Sequence, residues 1–152
     1  MRGRLLLLLL VAALGVVAVV AATAGAKGAA KSGAASVTVR HTKLGTILVD
    51  GSGRALYLFM KDKNGKSACA GACAKGWPPL LTKGKPKAGK GIEAKLLGTT
   101  VRKSGTQVTY AGHPLYRYFG DAKAGQTNGE GSTAFGAAWY VLAPNGHKID
   151  KS

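Results

Sequence analysis

The sequence predicts a mainly β domain in which two tandem hairpin-based repeats share one core, with one or two short helical segments. Three observations predict it. Apolar and polar residues alternate with a period of two through most of residues 37–149. Glycine-containing turns punctuate those runs at hairpin spacing. One block of residues also recurs further along the chain with its internal spacing intact.

The elements follow in order. Val37-Thr38-Val39-Arg40 alternates as a half-buried strand does, and Thr46 to Val49 is a β-rich run ended by Asp50-Gly51-Ser52-Gly53. Arg54 to Met60 begins straight after that turn, which makes the first hairpin signal. A second hairpin joins Thr106 to Tyr110 with His113 to Phe119 across Ala111-Gly112. A third joins Ala138 to Leu142 with His147 to Ile149 across Pro144-Asn145-Gly146, where Asn-Gly suits a tight turn. Ala68 to Gly76 and Ile92 to Leu97 are the two stretches expected to be helical.

The repeat appears when the hairpins are laid over each other. Lys43-Leu44-Gly45-Thr46 answers Lys103-Ser104-Gly105-Thr106. Gly53-x-x-Leu56-Tyr57-x-Phe59-x-x-Asp62 answers Gly112-x-x-Leu115-Tyr116-x-Tyr118-x-x-Asp121, and Trp77-x-x-Leu80 answers Trp139-x-x-Leu142. The turn between the first two blocks is one residue shorter in the second copy. Each copy is too small to bury a core alone, so one β domain is expected over residues 36–152. Repeat one runs over about residues 43–81 and repeat two over about 103–143.

Alternation puts Tyr57 and Phe59 on one strand face and Leu56, Leu58 and Met60 on the other. In the second copy Tyr116 and Tyr118 oppose Leu115, Arg117 and Phe119. Arg117 stands where Leu58 stands, so the Leu/Arg face is expected to be partly exposed and the aromatic face to be the core. Asp62 and Asp121, at the strand ends, are placed to accept from turn N–H groups in the following loops. This structural reading competes with a functional one, a ligand or metal site built from the two carboxylates and two phenols.

Tyr57-Leu58-Phe59-Met60-Lys61-Asp62 and Tyr116-Arg117-Tyr118-Phe119-Gly120-Asp121 also carry a resemblance. They fit twice the Y-x-[FWY]-x-x-D motif of the secreted-repeat, or predicted lipoprotein, family, whose function is unknown. Cys69-Ala70-Gly71-Ala72-Cys73, followed by Trp77-Pro78-Pro79-Leu80, resembles that family's cysteine and Trp-Pro-Pro segment. Asn128-Gly129 to Trp139-Tyr140-Val141 resembles the end of its second copy. The similarity covers about residues 37–143 and implies that Trp77 and Trp139 are core anchors. It implies a family and no activity.

Arg2 and Arg4 precede a run from Leu5 to Ala26 without a charged residue. Ala22-Thr23-Ala24 and Ala24-Gly25-Ala26 offer cleavage sites. Residues 1–26 are therefore read as a signal peptide, with an uncleaved membrane anchor as the alternative, since about 20 apolar residues span a bilayer. Residues 27–35, low in complexity, read as a flexible linker. No cysteine precedes Cys69, so lipid anchoring near the start is not expected. The expected location is secreted or on the exterior of the cell envelope.

The chain carries 22 Lys+Arg against 6 Asp+Glu. Loss of the leader would leave 20 basic and 6 acidic side chains, a net charge of +14. Such charge invites nucleic acid, but an exported chain does not meet the chromosome, so anionic envelope components or a membrane surface are the expected partners. Lys83, Lys85, Lys87 and Lys90, spaced by Gly, Pro and Ala, read as a solvated loop. A protein partner is not readable from these residues.

Cys69 and Cys73 occur only in the first copy. Outside the cytoplasm a structural disulfide is the expected state. The sharper alternative is a dithiol that binds copper as Cu(I) or exchanges electrons, with His41, His113, His147 or Met60 as further ligands. Neither zinc spacing nor a haem attachment pattern is present. No nucleophile elbow, zinc-protease or phosphate-loop motif occurs either, so a non-catalytic binding or structural module without a cofactor is expected.

Overall fold

The computed structural model describes residues 33–151. The leader and the linker as far as Ser32 lie outside the described residues. In chain order the elements are β1 (Ser36–Thr42), β2 (Gly45–Asp50), β3 (Tyr57–Phe59), α1 (Ala72–Gly76), β4 (Lys87–Ala88), β5 (Leu97–Arg102), β6 (Gly105–Tyr110), β7 (His113–Pro114) and β8 (Trp139–Val141), with single 3-10 turns at Ala94–Leu96 and Ala134–Gly136. The fold is mainly β. The strands form three small sheets, β2-β1-β4, β3-β8 and β5-β6-β7.

The duplication is visible in the register. In the first copy β1 and β2 pair antiparallel from Val37 opposite Asp50 to Thr42 opposite Gly45. In the second, β5 and β6 pair from Leu97 opposite Tyr110 to Arg102 opposite Gly105, the same register sixty positions on. The shorter second turn is closed by Ala111 and Gly112, both with positive φ (49° and 82°), the geometry of a two-residue hairpin loop.

Beyond the turns the two copies exchange strands. β3 of the first copy pairs with β8 of the second, Tyr57 opposite Val141 and Phe59 opposite Trp139. The equivalent strand of the second copy, around Tyr116, bridges to Pro79 of the first. At the centre Tyr57 and Tyr116 bond each other through their backbones, N–H to carbonyl at 2.8 and 3.0 Å. A local twofold relation follows, and the β3-β8 sheet and the Tyr116 bridge are each built from both copies.

The core has two clusters. One is aromatic: Tyr57, Phe59, Trp77, Tyr116 and Trp139 with Ile47, Val49, Ala55, Cys69, Cys73 and Val141. The other is aliphatic, with Leu48, Leu56, Leu58, Leu80, Leu115 and Leu142 packed beside Val37, Val108 and Tyr110.

Several expectations need refinement. The face expected to be partly exposed is not so at Leu58, which is buried in the aliphatic cluster. Met60 and Phe119 on that face are exposed as expected, and Arg117 is half-exposed and neutralised by Asp50. Because the exchanged strand is covered on both sides, alternation alone could not tell which face was solvent. The helix expected over Ala68–Gly76 spans only Ala72–Gly76, since Gly71 has φ 57°, outside the right-handed helical region. That expected over Ile92–Leu97 is one 3-10 turn flanked by extended Glu93 and Leu97. The last residues of the expected linker are also held: Ala35 N–H donates to Thr82 Oγ1 at 2.9 Å, and Ala35 carbonyl accepts from Lys87 N–H at 2.8 Å.

Candidate functional site

The repeated Tyr and Asp residues meet crosswise. Tyr57 hydroxyl donates to Asp121 Oδ2 at 2.6 Å, and Tyr116 hydroxyl donates to Asp62 Oδ2 at 2.8 Å. Each tyrosine therefore pairs with the other copy's carboxylate. The second oxygen of each Asp caps the loop after it: Asp62 Oδ1 accepts from Ala68 N–H at 2.7 Å, and Asp121 Oδ1 from Asn128 N–H at 2.8 Å. Tyr116 hydroxyl also meets Ser67 Oγ at 2.7 Å, and Tyr57 hydroxyl accepts from Gly129 N–H at 3.3 Å.

Electrostatics follow from this burial. Loss of water pushes both phenols well above their ordinary range, and the charge of the partner carboxylate adds to the effect. The same desolvation raises Asp62 and Asp121, opposed by the donors that surround them. A phenol held protonated is a donor to its carboxylate rather than a base. The two pairs are fixed cross-links between the copies.

Between them lies an aromatic stack. Trp77 and Trp139 are parallel at 3.9 Å, Phe59 stacks on Trp139 at 3.9 Å, and Tyr118 leans on Trp77 at 4.4 Å. Tyr57 meets Trp77 edge-on at 5.2 Å, and Tyr116 meets Trp139 likewise at 5.2 Å. All the repeated aromatic positions thus converge on one place, Tyr118 from its partly exposed edge. Trp139 Nε1–H donates to Ala134 carbonyl at 2.8 Å, which satisfies its polar atom within the core.

Cys69 and Cys73 form a disulfide, with Cα atoms 5.3 Å apart, and both are buried against this stack. The copper or thiol-redox alternative gains nothing from this arrangement, because each sulfur is bonded to the other. The further ligands considered for it are spread over the chain. His41 Nδ1 lies 3.4 Å from Thr46 Oγ1, His113 is in β7, His147 is on the last hairpin, and Met60 is exposed. Among the described residues no group of three or more His, Cys, Asp or Glu side chains could hold a metal ion.

A family model described as a secreted repeat of unknown function matches residues 38–81 and 98–143. The chain belongs to the secreted-repeat family. The two matched regions coincide with the two halves that exchange strands, so this family's repeat is half of an interlocked fold here. No curated protein and no solved structure gives a significant match.

Other features of this secreted repeat left little trace in the sequence. Asp50 Oδ1 accepts from Ser52 N–H, Ser52 hydroxyl and Arg54 N–H at 2.8, 2.6 and 3.1 Å, while Arg117 Nε donates to Asp50 Oδ2 at 2.5 Å. The Asp-Gly-Ser-Gly turn announced the first three bonds, but nothing announced Arg117. Arg102 spans Ser67 Oγ, Gln107 Oε1 and Cys69 carbonyl at 3.1, 2.9 and 2.6 Å, tying the disulfide loop to β5 and β6. Beside it an open groove of about 680 Å³ is lined by Lys66, Arg102 and Lys103, with no carboxylate among its lining residues.

Four of the six acidic side chains are withdrawn from the surface. Asp50 and Asp121 are only 2% and 1% exposed, and Asp62 and Glu130 are half-buried. Glu130 Oε2 accepts from Val141 N–H at 2.7 Å. The two exposed carboxylates, Glu93 and Asp150, are each ion-paired to a neighbouring lysine, Lys95 and Lys148. Of the eighteen basic side chains among the described residues, all but Arg54, Arg102 and Arg117 are exposed. The surface is cationic with almost no compensation.

Proposed function

We propose that this member of the secreted-repeat family is an exported, non-catalytic module that attaches to anionic material of the cell envelope or its surroundings. The observation that carries this reading is the segregation of charge. The fold spends four of its six carboxylates on buried or half-buried caps and cross-links and leaves its lysines facing solvent. A surface of one sign attracts polyanions over distances comparable to the Debye length, about 10 Å at moderate salt. The groove beside the disulfide, with three cations and no carboxylate, supports the same reading.

Export is supported by the apolar run from Leu5 to Ala26 behind Arg2 and Arg4, and by the family's description as secreted. The disulfide fits an oxidising compartment. The test joins both halves of the proposal. Product is collected outside the cell, its N-terminus is sequenced, and it is passed over immobilised polyphosphate at rising salt. A start at Gly25 or Lys27, with retention at low salt and release at high salt, is the expected result. An intact Met1 in the cytoplasmic fraction overturns export, and flow-through at low salt overturns anion attachment.

A further inference from the structure

Two exposed aromatic rings form an apolar patch on the cationic surface. Phe119 and Phe135 are 67% and 45% exposed, and both rings flank Gly76. Phe135 Cε2 and Phe119 Cδ1 lie 3.9 and 4.0 Å from where a Gly76 Cβ would stand. Neither ring is loosely held. Phe119 packs edge-on against Tyr118 at 5.1 Å, and Tyr118 leans on Trp77, so the ring is mounted on the central stack. Phe135 has φ 67°, a left-handed conformation that a non-glycine residue adopts only when its surroundings impose it. The fold accepts that strain while leaving Phe135 45% exposed.

The rim of the patch is basic. Lys75 precedes Gly76 at the end of α1 and is exposed. Lys61 Nζ reaches to within 3.8 Å of where a Gly136 Cβ would stand, next to Phe135. Aromatic rings flanked by lysines match the interface of an anionic bilayer, where rings enter the headgroup region and cations meet the lipid phosphates. A second copy of this chain would bring like charges together across the patch, and a soluble polyanion would have no use for the rings.

We infer that Phe119 and Phe135 form a wedge that docks this protein onto an anionic lipid surface, with Lys61 and Lys75 neutralising headgroup phosphates beside it. The inference deepens the attachment reading above and rests on it, naming the surface and the residues that enter it.

The test compares exported product, N-terminus verified, with a Phe119→Ala/Phe135→Gly variant. Glycine is the residue suited to the conformation at position 135, so the variant keeps its fold, checked by an unchanged near-ultraviolet spectrum. Both are sedimented with phosphatidylglycerol vesicles and with phosphatidylcholine vesicles, and both are passed over immobilised polyphosphate. The expected result is wild-type binding to the anionic vesicles alone. The variant then loses at least about tenfold in vesicle affinity, as expected for withdrawing buried aromatic area, with polyphosphate retention unchanged. Equal vesicle binding by both proteins, or polyphosphate retention without vesicle binding, overturns the wedge and leaves the attachment reading standing. Failure on every anionic surface overturns both. Wild-type self-association abolished in the variant assigns the patch to a second copy instead and also overturns the inference.

Discussion

The Tyr57 hydroxyl donates to Asp121 Oδ2 at 2.6 Å across 64 positions of sequence, from one repeat into the other. Its counterpart, Tyr116 to Asp62, makes the same bond in the opposite direction at 2.8 Å. The bond from Tyr57 is the more deeply buried of the two. Since each copy supplies a donor that only the other copy can use, the pairs couple the folding of the two halves.

Tyr57→Phe keeps the ring in the stack but leaves the buried Asp121 Oδ2 without its donor. A loss of about 1–3 kcal/mol in unfolding free energy is expected from urea denaturation. Tyr116→Phe is expected to cost less, because Asp62 is half-buried and can be reached by water. A double cycle with Asp121→Asn separates the bond from the ring. A coupling energy near zero would show that the two residues only happen to be neighbours.

Acid acts on this fold through opposing groups. Burial pushes Asp50 up, but the Ser52 hydroxyl, the Arg117 guanidinium and the Arg54 N–H outweigh it and hold the carboxyl below its usual range. Its stabilisation is therefore present above the unfolded value of about 3.9 and is lost as pH falls through the folded one. Burial raises Asp62, Asp121 and Glu130, so these keep protons longer when folded; their contribution is full in acid and lost as pH rises through their folded values. Asp50→Asn is expected to be less stable than wild type by about 1–3 kcal/mol at neutral pH. That gap should close as pH falls through the lowered folded value, where the wild-type carboxyl is protonated as well. An undiminished gap in urea midpoints would mean that the charge of Asp50 contributes nothing.

The disulfide closes a short ring, and Cys69→Ala/Cys73→Ala is expected to cost about 2 kcal/mol from chain entropy. Lost packing against the aromatic cluster adds to that, because both sulfurs are buried there. Thermal unfolding of the variant, and of wild type with reductant, should shift downward together. Unchanged melting in both would place the bond outside the cooperative unit.

Gly129 lies against the stack: an added Cβ would stand 2.6 Å from Trp77 Cη2 and 3.0 Å from Tyr118 Cγ. Gly129→Ala must displace Trp77, which is itself held parallel to Trp139, and an overpacking cost of about 1–3 kcal/mol is expected. Gly84→Ala is the control. Its Cβ would meet nothing within 4 Å, so its cost is limited to the positive φ of 78°. Equal destabilisation of the two variants would show that the contact with Trp77 does not matter.

Much of this fold was legible before any coordinates. The Ala111-Gly112 and Asn145-Gly146 turns locate two hairpins, and the doubled spacing of Tyr, aromatic and Asp marks the duplication. The capping role of Asp62 and Asp121 could be read from their place at strand ends. The exchange could not, because the same spacings serve a tyrosine that pairs within its own copy. Arg117 told half of its face: a charge there suggests solvent, and Met60, Arg117 and Phe119 do reach it, but Leu58 is covered and the distant carboxylate of Asp50 takes the charge.

By itself, then, the sequence determined the hairpins, the repeat, the aromatic core positions and the excess of positive charge. These depend on local period, turn chemistry and composition, which a chain carries wherever it goes. Tertiary structure alone decided that β3 pairs with β8, that Leu58 is covered and that the tyrosines bond across copies. It also decided that four of the six carboxylates turn inward while the lysines stay out. A period of two says which side chains share a face but not which strand will lie beside it, and a net charge is a sum without positions. Partner choice and the location of charge are settled only when both copies close over one core.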